Sequence, residues 1–272
     1  MQNIQTYLRM KQERKKIVMI TAYDYPAAKF VQEAGADMIL VGDSLGMVVL
    51  GYTDTIKVTL ADIIHHTRAA RRGAGDTFIV ADMPYLSYHL DLISTKRNAA
   101  RLLVEGGANA VKLEGGKESR LEAIRAIRDI EIPVVAHLGL TPQSINSLGG
   151  YRVQGTTDRS YREILAQALA IQDAGAFLLV LEGIPEKLGK EITEKLDIPT
   201  IGIGAGRFTD GQVLVYHDLL GLADIRPKFV KVYGNLHERI TENLQSFIMD
   251  VRSGSFPAQE NVYYPIENEG NK

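Results

Sequence analysis

Residues 33–44 read EAGADMILVGDS, and the same order of parts recurs at 105–116, EGGANAVKLEGG, and at 173–183, DAGAFLLVLEG. In each, a glycine closes a helical pattern, a short and largely apolar run follows, and the run ends on an acid: Asp43, Glu114 or Glu182. Glycine just past a helix supplies the left-handed residue that stops it. A run rich in Val, Ile and Leu that does not alternate with polar residues suits a strand buried on both faces, as parallel sheets require.

Outward from these stretches the pattern fills the chain. Strand-length runs fall at Ile17–Ala22, Met38–Val41, Phe78–Ala81, Ala110–Leu113, Pro133–Ala136, Phe177–Leu181, Thr200–Ile203 and Val213–Tyr216. Helical patterns lie between them at Tyr25–Gly35, Thr59–Arg72, Ser94–Gly107, Glu118–Ile130, Ser160–Gly175 and Pro185–Leu196. Thr59 and Asp62 are spaced like a capping box. A recurring βα unit implies parallel strands joined by right-handed crossovers. Eight units predict an α/β (βα)8 barrel of the TIM type, with an open doubly wound sheet as the alternative. The eighth unit is the ambiguous one, because VLVYHDLLGL also reads as helix. Residues before Ile17 are expected to form a helix covering the barrel floor. Residues 1–256 are read as one catalytic domain and 257–272 as a polar, partly disordered tail.

Composition narrows the function. The 272 residues are 45% hydrophobic and 24% charged, with a net charge of −2, so nothing electrostatic favours nucleic acid or an anionic membrane. There is no Cys, which excludes disulfides, thiolate metal sites and a cysteine nucleophile, and suits a reducing compartment. Met1–Lys16 is polar and lacks the apolar stretch of a signal peptide, and no run approaches a membrane span. A cytoplasmic enzyme is expected.

Barrel active sites gather at the C-terminal ends of strands. Asp43 and Ser44 follow the second run, Asp82 the third, Lys112 and Glu114 close the fourth, His137 lies on the fifth and Glu182 ends the sixth. One acid after a strand is ordinarily a helix cap or turn residue; ionisable groups on five successive strands are a site. Three carboxylates without Cys form an oxygen site, favouring Mg²⁺ first and Mn²⁺ or Ca²⁺ after it. A 2-oxo acid can chelate such an ion, which then acts as a Lewis acid towards an enolate. Lys112 is two residues from Glu114 and so shares its face; an ammonium there needs a carboxylate or an anionic substrate. Glu182, leaving the apolar FLLVL, suits a general base, with a fourth metal ligand or a helix cap as alternatives. His137 reads equally well as a core histidine.

Three other features stand apart. The connection from Gly139 to Arg159 is long and glycine-bearing, the character of a lid or a subunit contact. GIGAG, with Gly202, Gly204 and Gly206, suits either a phosphate cradle or close packing. His65 and His66 are adjacent on a helix, point about 100° apart, and are read as structural.

The motifs TAYDYPAAKF, LVGDSLGMVVLGY, VADMPYLSY, AVKLEGG, AHLGLTPQSINSLGGYRVQG, LLVLEGIP and IGIGAGRFTDGQVLVYHDLLG resemble the ketopantoate hydroxymethyltransferase family, from about Ile17 to Phe256. The resemblance implies a Mg²⁺-dependent barrel enzyme of pantothenate biosynthesis. It implies 5,10-methylenetetrahydrofolate as one-carbon donor to 3-methyl-2-oxobutanoate, and a homodecamer built as a pentamer of dimers. Carried over by motif, Asp43, Asp82 and Glu114 match metal ligands. Asp43, Ser44, Asp82 and Lys112 match ketoacid-binding positions, Glu182 the proton acceptor, and His137 a residue near the substrate. Gly183 stands where the family often has Cys, and the tail after Ala258 is longer than in compact members. Competing readings are a lyase or mutase of the phosphoenolpyruvate and isocitrate lyase type, which commonly needs a cysteine, and a barrel kept as a scaffold.

Overall fold

Eight strands form in order: β1 (Ile17–Thr21), β2 (Met38–Val41), β3 (Phe78–Asp82), β4 (Ala110–Glu114), β5 (Val134–Gly139), β6 (Leu178–Glu182), β7 (Thr200–Ile203) and β8 (Gly211–Leu214). Each pairs in parallel with the next, and β8 pairs with β1 through Ile17 and Gly211, so the sheet closes into a barrel. That closure excludes the open doubly wound alternative. The structure is a computed structural model and describes residues 3–223 and 227–265.

Strand periodicity sorts the side chains into two apolar layers. Met19, Met38, Leu40, Val80, Val135 and Val180 belong to the cluster inside the barrel. Ile39, Val41, Ile79, Val111, Leu113 and Leu179 pack outward against the helices. The floor is closed by α1 (Ile4–Gln12), whose Tyr7 is fully buried and meets Phe78, the first residue of β3, edge-on at 5.3 Å. Its hydroxyl donates to the Asp37 carbonyl at 2.9 Å. Burying such a ring contributes roughly 1.5–3 kcal/mol.

The connecting helices are α2 (Tyr25–Glu33), the short α3 (Leu45–Val48), α4 (Leu60–Gly73), α5 (Leu92–Val104), α6 (Glu118–Asp129), the short α7 (Ile145–Leu148), α8 (Asp158–Asp173) and α9 (Glu186–Lys195). The capping box of α4 forms between Thr59 and Asp62 as the spacing predicts. The three recurring glycines end α2, α5 and α8: beyond each, an N–H reaches five or six residues back, from Ala36 to Val31, Ala108 to Leu102 and Ala176 to Ile171.

The last units depart from expectation. No helix forms between β7 and β8; residues 204–210 join them directly. Strand β8 lies two residues earlier than the predicted Val213–Tyr216, and Tyr216 instead opens a short α10 (Tyr216–Leu219). Without a covering helix, burial alternates along β8 and β1, leaving Gln212 exposed and Val18 47% exposed. In β8 (GQVL) the outward positions include Gln212, so that strand lacks the unbroken apolar signal of the others, whereas β1 keeps it in Ile17–Ile20.

The chain resolves into two compact units, Met1–Tyr216 with Arg226–Val230, and His217–Ile225 with Lys231–Lys272. The first holds the barrel. The second holds α11 (Leu236–Ser253), which ends on Gly254 in the left-handed region (φ 76°) and exposes Ile240, Leu244, Phe247 and Val251. Thus α11, expected inside the 1–256 domain, falls in the second unit. Of the expected tail, Gln259–Asn261 forms one 3-10 turn, and residues 266–272 lie outside the described residues.

Candidate active site

The interior layer turns polar at the C-terminal ends of the strands. Asp82 lies two residues beyond Val80, Lys112 and Glu114 two and four beyond Ala110, His137 two beyond Val135, and Glu182 two beyond Val180. All five therefore keep the inward phase of the apolar residues below them. Register sets Asp82 opposite Lys112 and Glu114 opposite His137. Asp43 arrives differently, from the turn after β2, where its N–H donates to Asp82 Oδ2 at 3.0 Å. Gly139 ends β5 opposite Glu182; with φ +97° and space for a Cβ only 2.1 Å from the Glu182 carbonyl oxygen, it admits no side chain.

Lys112 Nζ stands 3.1 Å from Asp82 Oδ1, 3.3 Å from His137 Nδ1 and 4.0 Å from Glu114 Oε1. His137 Nδ1 is 3.4 Å from Glu114 Oε1, and its Nε2 is 3.2 Å from Glu182 Oε2. Burial would lower the Lys112 pKa, but Asp82, Glu114 and Asp43 outweigh it and raise the pKa, so the lysine is charged. Burial and Lys112 oppose protonation of His137, yet Glu114 and Glu182 lift it to about 9. Burial, followed by the Asp82 and Glu114 charges, raises the Asp43 carboxyl well above the usual range. Burial also raises Asp82, although Lys112 and the Asp43 N–H pull the other way. Burial would raise Glu114 too, but its contacts with His137, then Lys112 and the Gln143 N–H, hold it below the usual value.

Every residue expected at the site is therefore gathered there, with Ser44 beside Asp43 and its hydroxyl 2.8 Å from Tyr23 Oη. Sequence reasoning did not single out Gln143 and Tyr88. Gln143 is 4% exposed, and its Nε2 donates to Asp43 Oδ2 at 2.8 Å and to the Met83 carbonyl at 3.0 Å. Its backbone N–H donates to Glu114 Oε2 at 3.0 Å. Tyr88 Oη donates to Gln143 Oε1 at 2.6 Å and accepts from the Glu114 N–H at 3.1 Å. Both residues sit within motifs already noted, ADMPYLSY and HLGLTPQ; their burial is the signal, and only the fold reveals it.

The long connection after β5 reaches this rim. It turns through Pro142–Ser144 and α7, and the Gln154 N–H donates to the Gly183 carbonyl at 2.8 Å. Farther along, the Tyr151 hydroxyl reaches Met47 Sδ at 3.5 Å, and burial, then the Asp54, Asp43 and Glu182 carboxylates, raises its pKa. The GIGAG glycines serve close packing: a Cβ on Gly202 would meet Thr209, and one on Gly206 would meet Glu186, whose carboxylate already takes the Arg207 N–H at 3.1 Å. A carboxylate there opposes a phosphate. His66 Nδ1 lies 2.6 Å from the Tyr23 carbonyl, the structural role expected of it.

Four carboxylates here face two cations, Lys112 and His137. Asp82 Oδ1 and Glu114 Oε1 are buried and make no well-aligned hydrogen bond; they meet only the Lys112 ammonium, at 3.1 and 4.0 Å, and for Glu114 the His137 ring at 3.4 Å. Among the described residues no three acidic or histidine side chains already stand as a finished metal cage. The all-oxygen donor set and its surplus of negative charge fit a hard divalent cation, which ordinarily takes only one or two carboxylates and fills its other positions with water and substrate.

The family profile for ketopantoate hydroxymethyltransferase matches residues 1–259. A 3-methyl-2-oxobutanoate hydroxymethyltransferase of Geobacillus sp. (strain WCH70) is 55% identical, over 97% of this chain and 94% of that protein. One from Bacillus subtilis (strain 168) is 54% identical over 94% and 93%. Among solved structures, phosphoenolpyruvate phosphomutase from Streptomyces platensis subsp. rosaceus superposes with a TM-score of 0.63 at 15% identity, covering 97% of this chain and 92% of that one. Phosphonopyruvate hydrolase in complex with oxalate and Mg²⁺ gives 0.63 at 12% identity, covering 96% and 93%. These two likenesses speak to the barrel fold alone.

Proposed function

Since the chain belongs to the ketopantoate hydroxymethyltransferase family, we propose that it moves a one-carbon unit from 5,10-methylenetetrahydrofolate to 3-methyl-2-oxobutanoate, giving 2-dehydropantoate. The observation that carries the residue roles is a difference in access. The Glu182 side chain is 15% exposed, whereas those of Asp82, Lys112, Glu114 and His137 are 2–4% exposed. Glu182 is the acid a substrate can reach; the others form the floor beneath it.

Asp43, Asp82 and Glu114 are the residues that would hold Mg²⁺. When bound there, the ion would supply a Lewis acid beside the keto oxygen of the substrate. The Lys112 ammonium and Ser44 hydroxyl hold the ketoacid's anionic end. Glu182 takes the proton from C3, and His137, 3.2 Å away, steadies the carboxylate before and after transfer. Water adds to the folate-borne methylene and both of its carbon–nitrogen bonds break, leaving tetrahydrofolate with two new N–H bonds and a formaldehyde equivalent. The C3 carbanion equivalent adds to that carbon, and the resulting alkoxide takes the proton from Glu182 to become the hydroxymethyl group. The connection from Gly139 to Arg159 shields this chemistry from bulk water. The proposal extends to a cytoplasmic homodecamer, supported by the cysteine-free composition for the compartment and by the family resemblance for the assembly. Among the described residues no helix is long and apolar enough to cross a membrane.

The decisive measurement is exchange of the C3 proton into deuterated water without folate. Glu182→Gln should slow it about 10²- to 10⁴-fold; wild-type exchange in that variant would remove Glu182 from its role.

A further inference from the structure

We propose that Gln143 is a positioning residue that ties the loop after β5 to the acidic floor, so that docking this loop and setting the carboxylates are one event. The inference rests on Asp43, Asp82 and Glu114 being the metal-holding set. Gln143 lies on no strand. It sits in the 3-10 turn Pro142–Ser144, yet it is more buried than most of that loop.

The network leaves its amide one orientation. The Met83 carbonyl can only accept, so the atom 3.0 Å from it is the nitrogen. The second hydrogen of that nitrogen points to Asp43 Oδ2 at 2.8 Å. Tyr88 Oη already accepts from the Glu114 N–H, so its own hydrogen is free for Gln143 Oε1. With the backbone N–H on Glu114 Oε2, one loop residue holds an oxygen of Asp43 and an oxygen of Glu114. These carboxylates come from different segments, the turn after β2 and the end of β4. Their remaining oxygens are left to face the cation and substrate.

The loop connection distinguishes this role from simple packing. A neutral donor on a strand would orient Asp43 permanently. A donor carried by a loop does so only while the loop is docked, so loosening the loop should loosen the metal site as well. Partners of this kind typically change metal affinity when removed.

The test uses the full chain without substrates and Mn²⁺ as the probe, with free Mn²⁺ read by electron paramagnetic resonance and the loop by amide hydrogen exchange. Gln143→Met keeps the length and loses the donors. It should weaken Mn²⁺ binding about 10- to 100-fold and speed exchange across residues 139–157. Tyr88→Phe, which frees the amide to rotate, should move both readouts the same way and less. A folded Gln143→Met with wild-type Mn²⁺ affinity and wild-type exchange overturns the proposal. Should Gln143→Met not fold, Tyr88→Phe decides by the same two readouts. If the wild-type chain holds no Mn²⁺, the metal assignment itself fails. Exchange then decides the tie alone: faster in Gln143→Met supports it, unchanged overturns it.

Discussion

Along β2 to β6 nearly every strand residue is buried, whereas along β8 and β1 burial alternates and Val18 and Gln212 meet solvent. The strands on both arcs are parallel and belong to one closed sheet. What differs is cover: helices lie over the first arc, and residues 204–210 pass between β7 and β8 with no helix. Even paired neighbours feel it, for Ile39 of β2 is fully buried while Ile20, its partner on β1, is half-buried. The ionisable residues of the site all come from the covered arc. Charges shielded on both sides interact far more strongly than charges near water, so the arc that excludes solvent is the one that can shift a carboxyl or hold a lysine charged in the interior.

The largest break in this contrast should come from Lys112→Met. It leaves buried carboxylates without their ammonium and should cost about 3–5 kcal/mol by denaturant unfolding near neutral pH. The loss should shrink in mild acid, where Asp43 and Asp82 take up protons. Next is the metal. The raised Asp43 pKa means that the folded chain binds a proton the unfolded chain releases. Its contribution to stability is therefore lost as pH rises from the unfolded carboxyl value through the raised one. A cation in place of that proton should stabilise more near neutral pH than in mild acid, by about 2.7 kcal/mol at a hundredfold excess over its dissociation constant. Thermal melts with and without Mg²⁺ across pH would show it, and a Tm gain independent of pH would contradict it. Ile79→Val, under the helices, should cost about 0.5–1.5 kcal/mol. Val18→Thr, on the bare arc, should stay within about 0.5 kcal/mol of wild type. Equal costs at Ile79 and Val18 would mean that the arcs do not differ in the solution state.

How much could be read beforehand follows the same division. On the covered arc, burial on both faces writes unbroken apolar runs, so β2, β3, β4, β6 and β7 appear within one residue of their places, while β5 runs three residues past its expected end, through His137 to Gly139. Period two then put Lys112 on the face of Glu114. On the bare arc the outer residues need not be apolar, so β8 was displaced and the missing helix between β7 and β8 went unread. Gln143 was unreadable for another reason. Its partners Asp43, Met83, Tyr88 and Glu114 lie between 29 and 100 residues away in the chain, and no local pattern encodes a contact of that range.

The sequence by itself determined the repeated βα unit, the glycine stops of α2, α5 and α8, the inward phase of the strand-borne rim residues and the family that its motifs resemble. These are local properties, set by side-chain period, capping chemistry and backbone freedom. Only the tertiary structure decided that the sheet closes, that one arc stays bare, and that Asp43 enters from a turn while Gln143 ties it to Glu114. Those depend on which distant segments share one low-dielectric space, and that is settled when the chain packs.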